Sequence, residues 1–265
     1  MQRTIITLLV FYVFTGTACT ANAPELTPKE AILEMEKHTF NRAVLLRSVE
    51  SLDQALEENP DNVWATIGMA EAFLHVGYMK GSRYEKDNYV PELLNKAYKY
   101  TLRAVELGPQ NSRSYALLAK LQIIRGEYKT AWKTLSKAHD LDPNSFYPWY
   151  YLVVLNRYYQ LYDKAKHYAD RAGSLTHHTH HRRWIVKQLI EIADAQDNLE
   201  AEEQGYLKII ELNPERAHAY GNYAGFLYNQ ERYREAVNYY KKALKISRYP
   251  LAVRYLKKAR ERLKE

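Results

Sequence analysis

Small and apolar residues recur along this chain at helical spacing, and the helical pattern itself repeats at a longer period. Ala131, Leu135 and Ala138 share one helix face, and Ala165, Ala169 and Ala172 repeat that face 34 residues later. Pro109 and Pro143 are also 34 residues apart. Side chains at i, i+4 and i+7 line one stripe, so each triplet predicts a helix that presents a small, flat seam. Proline cannot continue a helix, so Asn59-Pro60-Asp61 and Asp142-Pro143-Asn144 predict stops. The pattern predicts helices in antiparallel pairs, one pair per period, with Ala where two axes approach closely and Leu, Tyr or Trp between pairs.

The match can be followed position by position. Unit 217–250 carries Tyr220, Ala224, Ala236, Tyr240 and Ala243; unit 112–145 carries Tyr115, Leu118, Ala119, Ala131, Leu135, Ala138 and Pro143; unit 146–179 carries Trp149, Leu152, Ala165, Ala169 and Ala172. These residues and their period resemble the tetratricopeptide repeat (TPR), a helix–turn–helix unit. Extending the register gives a first unit at 29–62, with Ser48, Leu52, Ala55 and Pro60. A second unit at 63–111, with Met69, Ala70, Phe73, Ala97, Ala104 and Pro109, carries about 15 extra residues around 77–91. A degenerate fifth unit spans 183–216, where Glu202 replaces a small residue, and 251–265 reads as a basic cap helix. The resemblance implies an all-α TPR-type α-solenoid of about six units, a right-handed superhelix of antiparallel hairpins whose first helices line a concave face. In the family that face holds a protein or peptide.

The ends of the chain change this picture. Arg3, the apolar run from Ile5 to Phe14 and the small residues Thr15 to Ala18 describe a secretory signal peptide over 1–18. That run is too short to span a bilayer, which takes about 20 residues. The stretch Gly16-Thr17-Ala18-Cys19 resembles a bacterial lipobox, although Gly16 stands where Leu is expected. The resemblance implies an acyl-modified Cys19, a tether over 19–28 and, with Thr20 rather than Asp after the cysteine, the periplasmic face of the outer membrane. Plain cleavage after Ala18 or Ala21 is the competing reading. Cys19 is the chain's sole cysteine, which excludes an internal disulfide framework. Few glycines and prolines, 10 and 9, fit helices punctuated once per repeat. The net charge of +7 is unevenly placed: residues 232–265 hold 12 Lys/Arg against 3 Asp/Glu, leaving 26 against 28 elsewhere.

Register assigns candidate contacts. Tyr147, Tyr150, Tyr151, Val154, Arg157 and Tyr158 form an aromatic wall with one cation, serving either as a groove or as packing against the next hairpin. Trp184, Lys187, Gln188 and Glu191, then His218, Asn222 and Tyr228, continue the row. In related repeats an Asn at the position of Asn222 binds a peptide backbone; the Lys and Asn set that clamps a terminal carboxylate is not found. The insert's Tyr78, Tyr84 and Tyr89 either close over the groove or belong to an extended helix. His177, His178, His180 and His181 are weak metal candidates, because neighbouring imidazoles on a chain are expected to point apart. The basic patch, with Lys241, Lys242, Lys245, Arg254, Lys257 and Lys258, suits anionic headgroups or an acidic partner, or serves as a solvated cap. Export argues against nucleic acid. No catalytic constellation or cofactor motif occurs. The expectation is an exported, lipid-anchored scaffold for an envelope complex, not an enzyme and without a cofactor; pilus and secretion escorts are its functional company. The alternatives are a solute-binding or transporter-associated subunit, with a ligand near Tyr150, Tyr151 and Trp184, and a metal handler using 177–181. The sequence leaves the oligomeric state open.

Overall fold

The computed structural model describes residues 25–38 and 41–264. The expected signal segment 1–18 and the expected lipid attachment at Cys19 lie outside these. Among the described residues there are thirteen α-helices and no β-strand beyond a single bridge, Tyr78 to Tyr89. In chain order they are α1 (Pro28–Lys37), α2 (Arg42–Glu58), α3 (Val63–Gly77), α4 (Pro91–Leu107), α5 (Ser112–Ile124), α6 (Tyr128–Leu141) and α7 (Phe146–Tyr158). They continue as α8 (Tyr162–Ser174), α9 (Thr179–Ala195), α10 (Leu199–Leu212), α11 (Ala217–Asn229), α12 (Tyr233–Ile246) and α13 (Pro250–Arg262). No helix among them is long and apolar enough to cross a membrane. Consecutive helices pair: α1 with α2, α3 with α4, α5 with α6, α9 with α10, and α11 with α12.

Helix starts follow from local chemistry. Thr27 and Glu30 form a reciprocal capping box at α1, and the side-chain oxygens of Asn41, Asn62, Asn111 and Asn198 accept from the first free amides of α2, α3, α5 and α10. Pro28, Pro91 and Pro250 sit in first turns, where no amide hydrogen is needed. Four turns inside hairpins place one residue in the left-handed region: Gly126 (φ 76), Gln160 (φ 57), Asp197 (φ 53) and Glu231 (φ 58). All occupy the same place in their repeats, and only one is glycine. A side chain there costs about 1 kcal/mol or more. Gln160→Gly is therefore expected to raise stability by about 0.5–1 kcal/mol, and Gly126→Ala to lower it by a similar amount, read from urea midpoints. A Cβ at Gly126 would meet no atom within 4 Å, so that loss tests backbone strain alone.

The chain divides into two compact units, residues 1–155 and 156–265. In the first, α3 is buried nearly all round, with Ala65, Ile67, Met69, Ala70, Ala72 and Phe73 inaccessible or nearly so. A helix apolar on every side belongs inside. Leu52 rests against Gly68, where a Cβ would collide with its methyl groups. In the second unit, α11 to α13 share a core of Tyr223, Ala224, Phe226, Leu227, Ala236, Tyr240, Ala252 and Ala259. Ala236 and Ala243 are fully buried, the close-approach role their spacing predicts. Glu202 is buried in α10, and its carboxyl is pushed up by burial and by Asp194.

Candidate functional site

In the first unit the first helix of each hairpin sends a polar side chain to one buried cluster. Arg113 of α5 donates through Nη2 to Glu36 Oε1 of α1 and Glu71 Oε1 of α3, both at 2.9 Å. Lys120 Nζ donates to Glu71 Oε2 at 2.7 Å. Tyr147 of α7 donates its hydroxyl to Glu36 at 2.9 Å, and the Arg113 guanidinium lies 3.5 Å from the centroid of the Tyr147 ring. Arg113 is only 5% exposed. Two carboxylates and two cations balance, which is the condition for keeping charge out of water. Burial alone would push the Glu71 carboxyl up, but Lys120 and Arg113 outweigh it and hold the group below its usual range. Burial likewise opposes the charge of Arg113, yet Tyr147, Glu71 and Glu36 raise its pKa above the ordinary value.

The insert lies against this row. Val90 N donates to Gly77 O and Met79 N to Asn88 O, both at 2.8 Å, so residues 77–90 form a short two-sided loop. A 3-10 turn, Lys86–Asn88, sits at its end. Gly81 holds φ 83, and the Tyr78 hydroxyl donates to its carbonyl at 2.6 Å. The reading of the insert as a helix extension is thereby corrected: hydrogen bonds across the loop replace those along a helix. Tyr89 donates to Arg83 O at 2.8 Å, and Tyr84 donates to the Tyr150 hydroxyl at 3.0 Å. Tyr150 and Tyr151 are 4% and 2% exposed, so they take the packing role rather than facing a groove. An open cleft of about 530 Å³ beside the insert is lined by Met79, Lys86, Asp87, Leu94 and Arg125, among others.

The second unit presents its row differently. Arg157 donates through Nε to Gln188 Oε1 at 3.0 Å, and its Nη2 is 3.0 Å from Glu191. Its guanidinium lies 4.6 Å from the Tyr158 ring. Trp184 is half-buried, while Lys187, Glu191, His218 and Asn222 are exposed. Tyr228 is half-buried against Tyr233 and Tyr255, at 5.3 and 6.0 Å between ring centroids, so it serves mainly the hairpin and cap. Tyr249, which register alone did not single out, lies 4.3 Å from the His218 ring and against Gly221, where a Cβ would strike its hydroxyl.

The histidine tract departs from expectation. His180 and His181 are buried at the start of α9, their ring centroids 4.2 Å apart instead of diverging. Helical geometry turns the backbone, and Trp184 gathers both rings at 5.6 and 5.1 Å. His181 Nδ1 is 3.0 Å from Thr176 Oγ1. His177 and His178 stay exposed. At the far end Lys241, Lys242, Lys245, Arg254, Lys257 and Lys258 are all exposed.

No protein-family model matches the chain, and no curated protein does. Solved structures do. A thermophilic TPR protein of Thermus thermophilus superposes with a TM-score of 0.59 at 17% identity, covering 76% of this chain and 99% of that one. PilF of Pseudomonas aeruginosa gives 0.52 at 17% identity over 74% of this chain and 88% of that one. The human IFIT1 dimer with m7Gppp-AAAA gives 0.62 at 19% identity, over 79% of this chain and 47% of that one. At these identities the likeness establishes architecture. The chain has the tetratricopeptide-repeat fold, an all-α solenoid of helical hairpins, as its 34-residue period and alanine seams predict.

Proposed function

We propose that this chain is an exported scaffold, held through a lipid on Cys19 at the periplasmic face of the outer membrane, that grips a protein or peptide partner with the second unit. The observation that carries the partner reading is the contrast between the two rows. In the first unit the polar groups are buried against one another and against the insert. In the second, Asn222 stands exposed on α11, with exposed Lys187 on the first helix of the preceding hairpin, Glu191 there paired with Arg157, and His218 of α11 packed against Tyr249. Asn222 offers a donor and an acceptor to a peptide backbone, a grip that reads extended shape rather than side chains. A small-solute site built on Tyr150 and Tyr151 is disfavoured, because both rings are already enclosed.

Two measurements test the proposal. Cross-linking in native envelopes followed by affinity capture is expected to retrieve one stoichiometric protein, and Asn222→Ala should cut its recovery by about tenfold, the loss of one or two hydrogen bonds. Capture unchanged by Asn222→Ala moves the partner off this row. Cys19→Ser is expected to shift the protein from the membrane to the soluble fraction; unaltered fractionation removes the anchor.

A further inference from the structure

The last hairpin carries a feature that partner binding does not use. The helix α13 buries one stripe, Ala252, Leu256 and Ala259, against its neighbours. Its other faces display Arg254, Lys257, Lys258 and Arg260, all exposed, with Glu261 the single acidic residue among them; Lys264, also exposed, follows its end. Glu261 is 3.9 Å from Lys257, and both are exposed. On α12, Lys241, Lys242 and Lys245 are also exposed. Charge alone would suit a solvated cap. The turn between the two helices does not. In the stretch Lys245-Ile-Ser-Arg-Tyr-Pro-Leu-Ala-Val-Arg254, three aliphatic side chains point outward: Ile246 is 38% exposed, Leu251 57% and Val253 38%. Lys245, Arg248 and Arg254 alternate with them and are exposed too. Tyr249 is the exception, turned inward against His218 and Gly221, which fixes the turn so that its aliphatic neighbours face out. A soluble cap gains nothing from three exposed aliphatics on its tip.

We infer that this tip is a docking surface for anionic phospholipid, with Ile246, Leu251 and Val253 entering the headgroup boundary and the cations of α12 and α13 meeting the phosphates. Charge complementarity favours a membrane over an acidic protein here, since aliphatic and cationic groups alternating where α12 ends and α13 begins match an interface that is apolar beneath and anionic above. Each cation near such a surface contributes about 1 kcal/mol, or roughly fivefold in partition. The contact is separate from the Cys19 anchor and does not depend on it.

The test uses the full-length chain carrying Cys19→Ser, so that no acyl chain contributes. Sedimentation with phosphatidylcholine vesicles is compared with sedimentation with vesicles that also contain phosphatidylglycerol. Strong preference for the anionic vesicles is expected, weakening as salt is raised. Lys257→Gln, Lys258→Gln and Arg260→Gln together should lower that partition on the order of 100-fold, and Leu251→Ser several-fold. These side chains are exposed, so helix content by circular dichroism should be unchanged. Equal partition onto both vesicle types overturns the inference. So does an anionic preference untouched by the α13 substitutions, which would place the contact elsewhere, and so does capture of an acidic protein with no vesicle binding.

Discussion

Replacing Arg113 with alanine is expected to destabilise the first unit by about 3–5 kcal/mol, the cost typical of removing one partner from a buried ion pair. The size follows from what remains. Glu36 and Glu71 are both buried, and each loses a charge-assisted hydrogen bond of 2.9 Å. Lys120 still reaches Glu71, and the Tyr147 hydroxyl still reaches Glu36, so neither carboxylate is bare. What disappears is the charge that balances the second carboxylate, together with the guanidinium stacked on Tyr147. Attraction between opposite charges is strong in this enclosed setting, and so is the penalty for an excess of one sign. Because four helices meet at Arg113, the loss should appear in α1, α3, α5 and α7 together. Hydrogen exchange of α5 amides is the direct readout, with urea unfolding alongside it. Combining Arg113→Met with Glu36→Gln should recover part of the loss, since it removes the imbalance and leaves Lys120 paired with Glu71. If Arg113→Ala costs less than about 1 kcal/mol, the cluster contributes no more than a surface pair.

This cluster marks the boundary of what the sequence discloses. Ala131, Leu135 and Ala138 announce their helix face because their spacing is local, and Pro143 announces the stop. Arg113 announces nothing: its partners lie 42 and 77 residues away, and an arginine early in a helix is ordinary by itself. Helical register does place Tyr150 and Tyr151 on the first helix of their hairpin. It does not reveal that Tyr84, 66 residues earlier, comes back to cover Tyr150. That depends on the path of an insert with no repeat to set its register. The histidines fail for a different reason. Adjacent imidazoles diverge in extended chain, but at the first turn of α9 the backbone bends and Trp184 draws the rings together. The left-handed turn residues were legible in principle, since Gly126 is the expected residue. Gln160, Asp197 and Glu231 conceal the same turn behind ordinary side chains.

The first unit should also weaken as acid is added before Glu71 protonates, and His75 is the reason. It is half-buried on α3, beside Glu71, Arg83, Lys120 and Glu36. Loss of hydration is the main cause that drives its pKa down to about 4; Arg83 and Lys120 add to this, while Glu71 and Glu36 oppose it. The unfolded chain takes up its proton near the ordinary value of about 6.5, where the folded chain still refuses it. Between those values the unfolded state binds more protons, so stability is complete above about pH 6.5 and declines as pH falls toward 4. Glu71, held below its usual range, adds its own loss only at lower pH, so the contribution of His75 is read from pH 6.5 to the ordinary glutamate value of 4.5. Over that interval the expected decline is roughly 2–3 kcal/mol, reduced somewhat by the part of the ring that water still reaches. Urea midpoints taken across the interval should fall steadily for the natural chain and much less for His75→Gln, whose side chain does not titrate. A variant that loses stability with the same slope would show that the proton is taken up elsewhere. If the slope is instead His75's own, mild acid acts on the helix that also carries Glu71, and the balance of charge around Arg113 is disturbed from α3 first.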